Sequence, residues 1–295
     1  MELTITQVLD DLRTADEIVR RFERRYWLTS ADFYSLYDQG LLDDGGRTED
    51  YALWAGFHLI NLDRAAALSS LSGQRVRQLR GQTLALDPRE PVLRVTNTTG
   101  FLARPEYETV IGALPKAFSA ITKSTLRVRN TGAPTAIVDG ELHFAGGLRL
   151  RVIEAIDFKT SRLQAYAYTL WRGEAKLGWF DSTPLTLEPH LAENFPHHYH
   201  DLSGAVEQRA SAPALSFTRP NLPAVIGFTL QIDQPPASVA PAAPAPVSPV
   251  SAPARHPKTA PLVPTPDTNG RDHLPSDAVI VEADAPQPLP PAHDN

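Results

Sequence analysis

The sequence predicts an α+β fold: an N-terminal helical unit, then an antiparallel β-meander sheet domain, then a disordered Pro-rich C-terminal tail. Three observations predict it. Apolar residues recur at spacings of three and four through the first 60 residues, as on one face of an α-helix. From about Ser124 the chain turns to runs of branched and aromatic residues broken by glycine-bearing turns, the pattern of short strands. From Pro235 to Asn295 stand 16 of the 27 prolines and no aromatic residue. That segment has too little apolar surface to offset the entropy of ordering it. A solvated tail with local polyproline II character is the plain expectation, and a proline-rich docking peptide is the sharper one.

Ile5, Val8, Leu9, Leu12, Ile18, Val19 and Phe22 place a first helix over 4–25. Thr29 or Ser30 caps a second one through Phe33, Leu36 and Tyr37, which Gly40 ends. "LLDDGGRTED" is a turn, and a third helix covers 48–59 with Tyr51, Trp54 and Phe57 inward. Residues 61–120 read as a basic connector of mixed helix and short strand. There "ALSSLSGQRVRQLRG" can continue as helix, "PVLRVTNTTG" holds a strand, and "PEYETVIGALPKAF" is helix or loop. Strands follow at "STLRVRN", "AIVDGELHFA", "LRLRVIEAIDF", "RLQAYAYTLWR" and "AKLGWFDS". Hairpin turns at "AGGL" and "RGEA" suit glycines at positive φ. The "FPHHYHD" stretch is expected at a sheet margin, and "SFTRPNLPAVIGFTL" closes the folded region as helix or strand. The units are thus 1–60 helical, 61–120 connector, 121–230 antiparallel sheet and 231–295 tail.

Composition removes several function classes. There is no cysteine, which excludes disulfides, iron–sulfur clusters and thiolate zinc sites. The start lacks a basic segment followed by an apolar core, and no stretch approaches 18 consecutive apolar residues. A cytoplasmic protein with no membrane contact is the expectation. The net charge of −6 is segregated: residues 1–60 carry 6 basic and 12 acidic side chains, whereas 61–130 carry 11 basic and 5 acidic. An acidic block beside a basic one invites intramolecular pairing, although two solvated surfaces would read the same way.

Three of the nine histidines stand within "PHHYH", at His197, His198 and His200, with His190 upstream. In an extended chain His198 and His200 share one face, and His197 points away with Tyr199. A metal site is one reading, since imidazole suits zinc, copper, nickel or iron, with Asp181, Asp201 or His190 to complete a set. A second reading needs no metal: the imidazoles, with Asp181 and Tyr199, move protons on a phosphodiester whose 2′-hydroxyl is the nucleophile. Arg149, Arg151 and Arg172 would then stabilise negative charge. The bland reading is a polar, pairing-averse sheet edge. Glu154 interrupts an otherwise apolar strand and reads as a paired structural carboxylate before a catalytic one. Tyr166, Tyr168 and Trp171 belong to packing faces before base stacking.

Taken in order, "LRLRVIEAIDF", "AYAYTLW", "GWFDSTP" and "FPHHYH" resemble the TumE-type toxin components of toxin–antitoxin pairs, over about residues 120–227. Glu154, Tyr166, Tyr168, Asp181, Pro184, Pro196, His197, His198 and His200 occupy the motif positions. Ser182 and Leu185 depart from the family's asparagine and histidine, and an arginine often found before the aspartate is replaced within "LGWF". Residues 1–60, through Phe22, Tyr26, Ser30, Phe33, Gly40, Asp44, Trp54 and Ala55, are similar to the small antitoxin-like proteins encoded beside such toxins.

The resemblance implies a toxin–antitoxin-type protein in one chain, cleaving RNA through His197, His198, His200 and Asp181, with Glu154 as a further site residue. His198 and His200 would exchange protons while Asp181 orients a ring. Its partners would be its own N-terminal segment or a cognate antitoxin, and RNA; a homo-oligomer is compatible with this. No cofactor is predicted. The alternatives are a non-enzymatic interaction module that docks through the Pro-rich tail, and a metal-dependent hydrolase with a His-bound divalent ion.

Overall fold

The computed structural model describes residues 2–42, 46–80, 92–97, 99–184, 191–204 and 206–232. These fall within one compact unit, Met1–Val239. The Pro-rich tail from residue 233, Leu185, His190 and Asp44 lie outside the described residues.

The helical part begins at β1 (Glu2–Thr4) and α1 (Ile5–Tyr26). Thr4 and Gln7 form a reciprocal capping box at the start of α1, which satisfies two helix-end donors at once. Thr29 caps α2 (Ser30–Asp38), and Gly40 beyond it takes a φ of 63°. α3 runs Thr48–Leu79, so it passes through residue 60 and absorbs the "ALSSLSGQRVRQL" stretch. The three helices share an aromatic core. Trp54 stacks on Phe33 with ring centroids 3.9 Å apart, and its indole N–H donates to Ser30 Oγ at 2.8 Å.

β2 (Val92–Arg94) pairs with β1, and α4 occupies Arg104–Ala117. Then come β3 (Ile121–Ser124), β4 (Arg127–Asn130), β5 (Thr135–Phe144), β6 (Leu148–Asp157), β7 (Arg162–Arg172), β8 (Ala175–Asp181), β9 (His198–Asp201), β10 (Gln208–Ser211) and α5 (Leu222–Ile232). Strands β3 to β10 make one antiparallel sheet in the order β10-β9-β8-β7-β6-β5-β3, with β4 also on β5. From β5 to β10 every strand pairs with the next in sequence, which is a meander. Gly146 and Gly147 take φ of 67° and 75° in the first hairpin and Gly173 takes 58° in the second, as tight turns require.

Register assigns the two faces. Val152, Glu154, Tyr166, Tyr168, Phe180 and Tyr199 lie on one face, in the core shared with Tyr107, Ile111 and Leu114 of α4 and Leu222, Val225 and Ile226 of α5. Ile153, Ala155, Ala165, Ala167, Asp181, His198 and His200 lie on the other. There α3 comes close to the strands: a Cβ on Gly56 would stand 2.6 Å from Ala155 Cβ. Ala52, Ala165 and Ala167 pack together, and Ile137 and Ala155 join the aromatic core of α1–α3. The sheet is thus sandwiched between α1–α3 and α4–α5.

One ionic cluster ties the layers together. Fully buried Arg64 of α3 forks onto Asp157 at the end of β6, with bonds of 2.6 and 3.1 Å, and also bonds Asp11 of α1 and Asp63. Thr135 of β5 donates to the other oxygen of Asp11. Burial raises the Asp11 pKa against the pull of Arg64. Asp11 of the acidic block and Arg64 of the basic one therefore meet inside the protein.

Candidate functional site

The site begins with strand alternation. Trp179 and Asp181 are two apart in β8, and His198 and His200 two apart in β9, so all four point to one face. Register sets Asp181 opposite His198 and Trp179 opposite His200. Gly178 allows β9 this close, because a Cβ there would stand 2.3 Å from the His200 carbonyl oxygen. The stretch expected at the margin is instead second from the edge, with β10 outside it.

Asp181, His198 and His200 are 1 %, 2 % and 0 % exposed. His198 Nε2 lies 3.2 Å from Asp181 Oδ1, and His200 Nε2 lies 3.6 Å from Asp181 Oδ2. The far side of each group is anchored. His198 Nδ1 meets the Pro196 carbonyl at 2.8 Å and His200 Nδ1 meets Glu207 Oε1 at 2.8 Å. Both partners are acceptors, so both Nδ1 atoms carry the proton and donate. The 3.4 Å approach of Arg209 Nε to His200 Nδ1 is too long to compete. The Asp181 carboxylate accepts from the Trp179 indole N–H at 2.8 Å and from the Thr183 amide at 2.9 Å. His200 stacks on Trp179 at 4.0 Å, and Lys176 Nζ lies 3.6 Å above that indole. Burial lowers the His200 pKa, with Asp181 opposing. Among the described residues Asp181, His198 and His200 form a group able to hold a metal ion, with ligand atoms all within 4.8 Å of one another.

His197 and Glu154 go elsewhere. His197 joins the opposite face, where its Nδ1 and the Tyr166 hydroxyl are hydrogen-bonded at 2.7 Å. Burial, with His198, Arg162 and Arg219 adding to it, pushes its pKa down to about 4. Glu154 accepts from Tyr107 and Tyr168, both at 2.7 Å. Burial pushes its pKa up to about 7 although both bonds pull it down. Tyr166 and Tyr168 stack at 4.8 Å beside it. Both carboxyl oxygens are thus satisfied by tyrosines inside an apolar core.

The expected arginines are engaged. Arg149 donates to Glu141 at 3.0 Å and Arg151 to Glu49 of α3 at 3.1 Å. Sequence reasoning passed over Trp179, Glu207 and Tyr37. Trp179 was readable from its spacing to Asp181; Glu207 and Tyr37 reach the site only through tertiary contacts. Tyr37 of α2 is buried beside Asp181, Ser182 and Thr183, and burial raises its pKa first, with Asp181 adding to it.

A pocket of about 460 Å³ opens between α1, the start of α3 and strands β7–β8, lined among others by Arg25, Arg47, Thr169, Trp171 and Lys176. Lys176 connects it to the Trp179 indole on which His200 rests. No described helix is long and apolar enough to cross a membrane.

Residues 111–233 match the family model described as Toxin TumE. The matched span contains Glu154, Asp181, His198 and His200 and leaves α1–α3 outside it. No curated protein and no solved structure matches the chain. The antitoxin-like reading of residues 1–60 has no support from these comparisons.

Proposed function

We propose that this chain is a toxin–antitoxin-type effector whose sheet, with α4 and α5, cleaves RNA at Asp181, His198 and His200, and whose helices α1–α3 restrain it in cis. The observation that carries the reading is one of overlap. The span matching the Toxin TumE family contains the buried Asp–His–His group, and the helices outside the span pack on the very sheet face that bears it. RNA as substrate is supported by the pocket that Lys176 and Trp179 link to the group, where Arg25, Arg47 and Lys176 stand with Trp171; Glu49 and Asp50 share its lining, and Asp50 pairs with Arg25 at 2.7 Å. Cations with an aromatic surface are what a single strand's phosphates and bases call for. A cognate antitoxin is a further partner of this reading.

Two chemistries suit the group. Imidazoles can take the 2′-hydroxyl proton and return one to the departing 5′ oxygen, or a bound cation can polarise the phosphoryl oxygen. Both Nε2 atoms face the carboxylate, which favours the second.

The test is induction in bacteria of residues 99–295, of the full chain, and of 99–295 carrying His198→Ala, each checked for solubility, with RNA integrity followed by end mapping. The expected result is RNA cleavage and growth arrest by the fragment alone. A soluble fragment that leaves RNA intact defeats the reading.

A further inference from the structure

We propose that Asp181, His198 and His200 bind a divalent transition-metal cation, zinc or a close relative, between the two imidazole Nε2 atoms and the carboxylate. The inference deepens the reading of this group as the working site and rests on it.

Spacing is the first argument. Ligand atoms about 2.0–2.1 Å from a tetrahedral zinc stand about 3.3 Å from one another. His198 Nε2 stands 3.2 Å from Asp181 Oδ1 and His200 Nε2 stands 3.6 Å from Oδ2, and one atom from each of the three residues can be taken so that all lie within 4.8 Å of one another, so a closing movement of the side chains brings them round one ion. Three protein ligands leave one position open, the arrangement of a catalytic rather than a structural ion.

The state of the rings is the second. With each Nδ1 proton given to Pro196 O or Glu207, each Nε2 presents its lone pair toward the carboxylate. Two lone pairs and an anion packed together repel unless something positive sits among them. His198 Nε2 is buried and makes no hydrogen bond among the described residues, although Asp181 Oδ1 lies 3.2 Å away.

The surroundings are the third. Metal-bound histidines almost always give their other N–H to a carbonyl or carboxylate, and ligating carboxylates are themselves hydrogen-bonded. Here one histidine has the carbonyl and the other the carboxylate, and Asp181 has Trp179 and the Thr183 amide. Glu207 lies in the loop before β10 and Trp179 in β8, so the supporting groups come from separate segments, as a built site requires. Two nitrogens and one oxygen suit zinc, or ferrous iron in the two-His, one-carboxylate pattern. They do not suit magnesium or calcium, which want oxygen ligands.

The experiment uses the full chain. Its metal content is measured as purified, then the chelator-dialysed protein is titrated with zinc chloride by calorimetry. The expected result is one zinc per chain, at least 100-fold weaker binding in H198A and H200A, 10- to 100-fold weaker binding in E207Q, and unchanged binding in H143A. Should the histidine variants fail to fold, X-ray absorption of the zinc-loaded wild type decides: two imidazole rings at about 2.0–2.1 Å are expected. Absence of binding, binding equal in all variants, or an absorption spectrum without imidazole overturns the proposal. Failure of the RNA reading is separable. Zinc held at these residues by a chain whose 99–295 fragment is soluble but harmless removes RNA cleavage and keeps the ion. Cleavage by a fragment from a chain that binds no zinc does the reverse.

Discussion

Glu154 makes the sharpest residue-scale case, because its environment changes which form of the side chain the fold prefers. Its pKa rises from 4.5 to about 7, mainly through burial. Between those values the folded chain holds a proton that the unfolded chain has lost, so stability falls as pH climbs through that window. The contribution is full below about pH 4.5, gone above about 7, and on the order of 3 kcal/mol. Glu154→Gln stays neutral and can still pair with Tyr107 and Tyr168. Urea midpoints at pH 5 and pH 8 should therefore separate clearly in wild type and by much less in the variant. An equal separation in both would locate the pH dependence elsewhere. In the sequence, Glu154 was visible as an anomaly in an apolar strand. Tyr107 was not visible, since nothing local tells a helix tyrosine 47 positions away which strand it will meet.

At the scale of elements, two of the contacts that hold the N-terminal helices to the sheet can be tested singly. Arg64 serves three carboxylates on α1, α3 and β6, and removing it leaves buried anions without a counter-ion. Arg64→Met should cost about 3–5 kcal/mol, read as a lower denaturant midpoint. Adding Asp11→Asn and Asp157→Asn should recover part of that loss; no recovery would mean that packing rather than charge is at stake. Gly56 is the second contact. In an exposed helix Gly→Ala gains about 1 kcal/mol. Here the new methyl would lie 2.6 Å from Ala155 Cβ, so a loss of about 1–3 kcal/mol is expected in equilibrium unfolding.

Helices and strands were legible because their periods are local: α1, α2 and the meander fall where spacing and turn glycines put them. The extent of α3 was less so, since Ser69, Ser70, Ser72 and Gly73 read as a stop that the helix runs through to Leu79. The pairing of Asp181 with His198 was beyond local reading. It depends on a register across the segment between β8 and β9, whereas the common face of His198 and His200 needed only alternation.

For the molecule as a whole, the charge segregation seen in the sequence takes a particular form. Asp11 of the acidic block meets Arg64 of the basic one inside the fold, while Asp63 and Glu49 of α3 pair with Lys159 and Arg151 farther along the chain. If α1–α3 restrain an effector, loosening them should release it without removing them. Full-length Arg64→Met is then expected to slow bacterial growth where the intact chain does not, and His198→Ala added to it should restore growth. Slow growth that persists after His198→Ala would point to misfolding stress instead.

The order of the layers along the chain has a temporal meaning. Helices α1–α3 end at Leu79, roughly 100 residues before Asp181. At about 5–20 residues per second they leave the ribosome some seconds ahead of the strands that carry the Asp–His–His group. If α1–α3 restrain the group, the cover is synthesised before what it covers. A cell translating this message front to back would hold the restraint ready when the last strand of the site arrives, whereas the opposite gene order would release each new molecule uncovered for that interval.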